Sequence, residues 1–345
     1  MSKDKDMRLE EIPAPLLSWY RANKRDLPWR HNPTPYRVWV SEIMLQQTRV
    51  EAAKEYYIRF LRELPDIYAL ADCSEEKLLK LWEGLGYYSR VRNMQKAAKE
   101  ACEKYGGNLP DNEKDLKKLS GIGEYTVGAI LSIAYGKRIA AVDGNVLRVI
   151  SRYAERKDEI SSPLYRKELK EKLTEIYPEE GVACSDFTQS LMELGALICL
   201  PQNPKCEICP LQKICMANAH STQREYPVLP EKKAKKEEEI SVFVIVTEKG
   251  ISVRKREKGV LKGMNEFPSE QKGKPEEILS AWGVRNFEIV KNKKFSHIFT
   301  HIRWDMDCYL VQAEISPFEE YSLADLEEKI SIPTAFKQCL EILGK

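Results

Sequence analysis

LSGIGEYTVGAIL, residues 119 to 131, sets Gly121 and Gly123 in a tight turn ahead of a run whose apolar residues return at helical spacing. Bare backbone amides at such a helix start can hold a phosphate oxygen, and so grip a nucleic-acid backbone without reading its sequence. A plain connector between helices uses the same glycines, so the neighbouring residues have to decide. About twenty residues on, AVDGNVLRV (141 to 149) puts Asp143 ahead of Gly144 and Asn145 at another helix start. Asp143 reads as the cap of that helix. Flanked by Ala141, Val142 and a glycine, it also reads as a sheltered carboxylate able to stabilise a cationic sugar.

Upstream, VWVSEIMLQQTRV (38 to 50) sets Glu42 inside an otherwise apolar helical stretch. An unpaired charge there is costly, so burial raises the pKa and keeps a proton on the carboxyl. A protonated Glu beside an ionised Asp is the acid and stabiliser pair that glycosidic cleavage uses. The alternative is a solvent-facing Glu on a helix surface.

Apolar residues keep the helical period from about residue 8 to 198, broken by turns at Pro33–Pro35, Gly106–Gly107, Asn108–Pro110 and Ser161–Pro163. PVLPEKKAKKEEE, residues 227 to 239, joins prolines to a dense charge run and reads as an exposed linker. Beyond it the period becomes two, in ISVFVIV (240 to 246) and in Ile302, Trp304, Met306, Cys308 and Leu310, as in strands with one buried face. Helical patterns return at about 276 to 282 and 334 to 343. The expected organisation is a mainly α region over 1–226, a linker over 227–239 and a small α+β domain over 240–345.

A chain of 345 residues with 43% hydrophobic and 31% charged residues is of ordinary globular make, with no apolar run long enough for a membrane helix. MSKDKDMRLEEIP at the start lacks the core of a secretory signal, which points to the cytosol. A net charge of +2 announces no nucleic-acid partner, so any phosphate-binding surface is local. Nine cysteines, an odd count without a secretion signal, argue against a disulfide framework. Four of them, Cys199, Cys206, Cys209 and Cys215, fall in CLPQNPKCEICPLQKIC with six, two and five residues between successive sulfurs, so one loop can wrap a metal centre. Zinc sites often use two CxxC pairs; a single pair with flanking single cysteines favours an iron–sulfur cubane, with zinc the alternative. Cys73, Cys102, Cys184, Cys308 and Cys339 read as core residues.

Taken together, LPWR (27 to 30), SEIMLQQTRV (41 to 50), WEGLGYYSRVRN (82 to 93), the glycine turn, VDGN (142 to 145), MELGALIC (192 to 199) and the cysteine loop make the chain resemble the MutY-type adenine DNA glycosylases, helix-hairpin-helix relatives of endonuclease III. The resemblance covers nearly the whole length. It implies a six-helix barrel with a hairpin module, a 4Fe-4S cluster on the four cysteines, and duplex DNA carrying adenine opposite 8-oxoguanine as substrate of a monomer that is nucleoid-associated when bound. It further implies that Glu42 protonates adenine N7, Asp143 supports an oxocarbenium ion and Tyr125 organises the site. Relatives that also cut the strand carry a lysine nucleophile at position 125, so Tyr125 implies base release alone.

By the same resemblance Arg25, Trp29, Arg30, Leu45 and Gln189 line the pocket of the flipped adenine. Gln47, Thr48, Leu85 and Tyr87 enter the gap and meet the opposite strand, with Gly121, Gly123 and Asn145 among the DNA contacts and Tyr88 in the core. The C-terminal domain resembles the MutT/Nudix-like module that inspects 8-oxoguanine. Residues 250 to 290 lack the Nudix box of metal-binding glutamates, so pyrophosphate hydrolysis is not expected. The family's Phe-Ser-His loop is Phe299, Thr300 and His301 here, and MNEFP (264 to 268) lacks the usual Trp before Glu-Phe-Pro, so packing there should differ. Two rivals stand beside this reading: a glycosylase that also nicks the strand, which Tyr125 opposes, and a non-catalytic iron–sulfur DNA binder, which the Glu42 and Asp143 pair opposes.

Overall fold

The computed structural model describes residues 7–231 and 234–344. The first residues of the charged N-terminal stretch, and Lys232 and Lys233 of the expected linker, lie outside the described residues. Two compact units result. One holds the described residues up to Asp72 with Asn93–Glu231, the other Cys73–Arg92 with the described residues after Glu231.

The first unit is helical. Thr34 accepts the Arg37 backbone N–H and Pro35 follows, which starts the helix Pro35–Leu45. Val38 through Met44 are all buried, so this helix runs through the interior and carries Glu42 in with it. The glycine turn leads into the helix Glu124–Ala129, which widens into a π-helical stretch, Ile130–Ala134. Gly121 adopts a φ of +75°, and a Cβ there would lie 2.7 Å from Cβ of Asn93, so the turn needs a glycine on both counts. Asp143 caps the helix Gly144–Tyr153, whose Leu147 and Ile150 pack with Phe187, Leu191 and Leu194 of the helix Val182–Leu197. Gly195 lets the two helices meet: a Cβ there would stand 2.6 Å from Cβ of Asn145. Among the described residues no helix is long and apolar enough to cross a membrane.

The second unit is built on a mixed seven-stranded sheet. Its strands are β1 (Lys236–Thr247), β2 (Gly250–Lys255), β3 (Asn265–Glu266), β4 (Ser269–Gln271), β5 (Arg285–Ile298), β6 (Ile302–Ile315) and β7 (Glu319–Tyr321). The path is β3-β2-β1-β6-β5, with β4 on β1 and β7 on β2. β1 and β6 run parallel, with Val242 opposite Cys308. The helix Pro275–Trp282 matches the expected one, and Thr334–Lys337 followed by a 3-10 turn to Leu343 matches the last.

Several expectations need correction. β1 begins at Lys236, so the linker's charge run is partly strand, held by the backbone ladder to β6. Ile240 through Ile245 are all buried, not alternately so. β1 is central: Ile240, Val242 and Val244 join one apolar cluster while Phe243 and Ile245 join another on the opposite face. Leu310 of β6 is only half-buried, and Val311 takes the buried place beside it. Cys184, Cys308 and Cys339 are buried, but Cys73 and Cys102 are half-exposed.

The segment Cys73–Arg92, expected within the helical region, belongs to the second unit. Side chains tie it there: Lys80 Nζ donates to the Ile330 carbonyl at 3.1 Å, Ser331 Oγ to the Leu79 carbonyl at 3.2 Å, and Arg92 Nη2 to the Gly263 carbonyl at 3.0 Å.

Candidate active site

Glu42 and Asp143 open onto one cleft of about 890 Å³ in the helical unit, which Arg25, Trp29, Arg30, Leu45, Gln47, Thr48, Tyr125, Asn145 and Gln189 also line. Glu42 is 7% exposed, which removes the reading of a solvent-facing helix residue. Burial pushes its carboxyl up to about 7 and the Asp143 charge adds to that, against the pull of a hydrogen bond from Tyr125 and the charge of Arg30. The Tyr125 hydroxyl donates to Glu42 Oε2. It sits just beyond the glycine turn, so the turn delivers it to the acid.

Asp143 is both a cap and a cleft residue. Oδ1 accepts the Val146 N–H at 2.7 Å, and Oδ2 accepts from Asn145 Nδ2 at 2.8 Å. Burial raises its pKa, while these donors and the Arg148 guanidinium favour the charged form and limit the rise. Asn145 in turn accepts from Arg148 Nη2 at 2.8 Å, and Arg148 Nε reaches the Cys199 carbonyl at 2.8 Å. The helix that presents Asp143 is therefore bonded to the start of the cysteine loop.

The cleft wall holds a group that the sequence reading passed over. Glu193, 1% exposed, accepts Arg25 Nη2 at 2.7 Å and Arg30 Nη2 at 2.9 Å. Burial alone would raise its pKa, but the two guanidiniums hold it at about 2. Arg25 and Arg30 are thus ion-paired inside the wall and not on the surface. Arg30 Nε donates to Gln189 Oε1 at 3.0 Å. Trp29 is at once core and cleft lining, buried with its ring edge-on to Tyr57 at 5.5 Å. Gln47 is exposed at a φ of +61°, and among the described residues Thr48 Oγ1 finds no hydrogen-bond partner. Gly121 and Gly123 line a neighbouring hollow with Arg166, Lys167 and Lys170.

Tyr87, Phe299, Thr300 and His301 line a second cleft, of about 880 Å³, in the other unit, where the Tyr87 and Thr300 hydroxyls bond. Tyr87 is 46% exposed at a φ of +47°; Leu85 and Tyr88 are buried. Phe299 leans edge-on against His297 and Trp304. Asn265, where a Trp is usual, bonds to the Ser331 carbonyl at 3.1 Å.

Cys199, Cys206, Cys209 and Cys215 all face one small cavity beside the helix Gly144–Tyr153. Among the described residues no three His, Cys, Asp or Glu side chains are grouped to hold a single metal ion. Four thiols around one cavity suit a cluster with one iron per cysteine.

Known proteins share these features. Residues 40–175 match the HhH-GPD superfamily of base excision DNA repair proteins, 199–215 the iron-sulfur binding domain of endonuclease III and 241–342 the NUDIX domain. The adenine DNA glycosylase of Buchnera aphidicola subsp. Acyrthosiphon pisum is 38% identical over 300 residues, 83% of either chain. The chain belongs to the adenine DNA glycosylases. The human adenine DNA glycosylase is 41% identical over 219 residues, which are 61% of this chain and 40% of that one. A thermostable thymine-DNA glycosylase superposes with a TM-score of 0.56 at 30% identity, over 61% of this chain and 97% of its own. Endonuclease III trapped covalently on DNA superposes at 0.52 with 22% identity, a likeness of fold. The glycosylase is therefore a DNA-binding base excision repair enzyme that hydrolyses N-glycosyl bonds and carries a 4Fe-4S cluster.

Proposed function

We propose that this glycosylase releases adenine mispaired with 8-oxoguanine, or with guanine, from duplex DNA and leaves an abasic site without cutting the strand. The carrying observation is that a buried Glu42 and a hydrogen-bonded Asp143 open onto one cleft, both bearing on Tyr125. The adenine leaves the stack at a cost of about a few kcal/mol, which a mispair lowers. Glu42, still protonated near neutral pH, gives its proton to N7 and makes the base a better leaving group. The Asp143 carboxylate faces the sugar as positive charge grows there, and water completes the hydrolysis. Tyr125 offers no amine, so no Schiff base forms.

In this reading Arg25, Trp29, Leu45 and Gln189 receive the base, and Gln47, Thr48 and Tyr87 meet the DNA around the gap. Phe299, Thr300 and His301 inspect the lesion, and one chain acts as a monomer. Cys199, Cys206, Cys209 and Cys215 would hold the cluster, which when bound fixes the loop against the helix that Asp143 caps. The test is Glu42→Gln. Single-turnover release of adenine from an adenine:8-oxoguanine duplex should vanish while duplex binding stays within a few-fold; cleavage at the wild-type rate removes Glu42 from the mechanism.

A further inference from the structure

Glu193 lines the same cleft as the acid and holds Arg30, whose charge the acid feels. Its two oxygens take the Arg25 backbone N–H at 2.9 Å, Arg25 Nε at 3.0 Å and Nη2 at 2.7 Å, and Arg30 Nη1 at 3.2 Å and Nη2 at 2.9 Å. Arg30 spends its remaining reach on the Arg25 carbonyl at 2.9 Å and on Gln189 Oε1 at 3.0 Å. Four of its five N–H groups are therefore committed inside the protein, which leaves little of its fork for a base. Guanidiniums keep their proton under all working conditions, so two positive charges stand in this wall permanently and one carboxylate answers them.

We propose that Glu193 is a positioning residue for base release: by clamping Arg25 and Arg30 it both fixes Arg30 in place and screens the positive charge that Arg30 presents to Glu42. This inference rests on the reading of Glu42 as the acid. The groups facing Glu42 are few. Tyr125 comes from the helix after the glycine turn, Asp143 from the cap of the helix Gly144–Tyr153, and Arg30 from the turn Pro28–Arg30. Behind them stand Arg25, Glu193 and Arg148, and Glu51 of the helix Val50–Glu63 acts on Arg25. The stretch Ile130–Ala134, also packed on the Glu42 helix, brings no titratable side chain.

Arg30 is the cation that acts on Glu42, and its charge favours the carboxylate. A carboxylate at position 42 has no proton to give. With Glu193 neutral, the wall carries one more unbalanced positive charge, and Glu42 should lose its proton at lower pH. With Arg25 neutral instead, Glu193 answers Arg30 alone and Glu42 should keep its proton to higher pH. A purely structural clamp predicts lower rates in both variants without opposed movements of the pH profile.

The experiment is single-turnover adenine release from an adenine:8-oxoguanine duplex across pH 5 to 9, using the whole cluster-loaded chain. The rate falls on the alkaline side as the acid ionises. In Glu193→Gln that limb should move down by about one pH unit, an approximately tenfold loss above the limb with a smaller loss at pH 5.5. In Arg25→Gln it should move up. Glu193→Gln with Arg30→Gln should bring the limb back toward its wild-type position. Should Glu193→Gln fail to fold, the direction of movement in Arg25→Gln decides by itself. Limbs that stay fixed in every folded variant, or that move together in one direction, overturn the proposal. Glu42→Gln run in parallel separates the two ideas: if it is inactive while the limbs do not move, the acid stands and only the role of Glu193 falls.

Discussion

Tyr125 donates its hydroxyl hydrogen to Oε2 of Glu42, so the residue delivered by the glycine turn is bonded to the acid carried by the helix Pro35–Leu45. Glu42 is buried and Tyr125 half-buried, and burial with the neighbouring acid charges pushes the Tyr125 hydroxyl well above its ordinary pKa. It stays a donor throughout the working range. The bond favours the charged form of Glu42, against the larger effect of burial.

Tyr125→Phe removes that donor and keeps the ring. Glu42 then loses a stabiliser of its carboxylate, so its pKa rises and the alkaline limb of base release moves to higher pH. The plateau rate should fall on the order of tenfold to a hundredfold, because the acid is no longer held in one orientation. A pH–rate profile of the variant checks both effects; a limb displaced to lower pH contradicts the bond's direction.

Burial of Glu42 also makes stability depend on pH. The folded protein holds this proton up to about 7, whereas the ordinary value of the free group is 4.5. Below 4.5 the group is protonated in both states and carries no penalty; between 4.5 and 7 the folded state binds more protons, so stability declines as pH rises. Above 7 the accumulated loss is about 3 kcal/mol. Glu42→Gln has no proton to lose, so its stability advantage over the wild type should be small at pH 4.5, grow through pH 7 and then level off. Melting of both proteins across that range measures it, and a difference independent of pH refutes the assignment of a raised Glu42.

What the sequence makes legible is set by local chemistry. Glu42 betrayed itself because a charge in an apolar helix has nowhere to go except a buried partner or a shifted pKa. Glu193, within LMELGALIC, carries the same signature, and the signal was there to be used. What the sequence could not supply was its partners, since Arg25 and Arg30 lie far away along the chain and meet it only after folding. Likewise the place of Cys73–Arg92 depends on bonds such as Ser331 to Leu79, which no periodicity encodes. The run ISVFVIV held a clue to two buried faces, because an unbroken apolar stretch belongs to a central strand. β3, β4 and β7, of two or three residues each, are too short to leave a pattern.

The cysteine loop offers the last prediction through Arg152. Its guanidinium is buried, with Nη1 donating to the Leu200 carbonyl at 2.6 Å, Nη2 to the Pro201 carbonyl at 2.7 Å and Nε to the Tyr226 carbonyl at 2.9 Å, while Nη1 also lies 3.4 Å from Cys199 Sγ. One side chain thus ties the start of the loop, and the Tyr226 segment that follows it, to the helix Gly144–Tyr153. Arg152→Leu keeps the packing volume roughly but leaves three carbonyls without their donor, each costing about 1–3 kcal/mol where water cannot replace it. The loop should then open and hold its cluster poorly: iron per chain and the visible absorbance should fall by more than half, and the melting temperature with them. Arg152→Lys, with charge but no fork, should fall between the two. Full iron content together with an unchanged melting temperature in Arg152→Leu would show that the loop is held by other means.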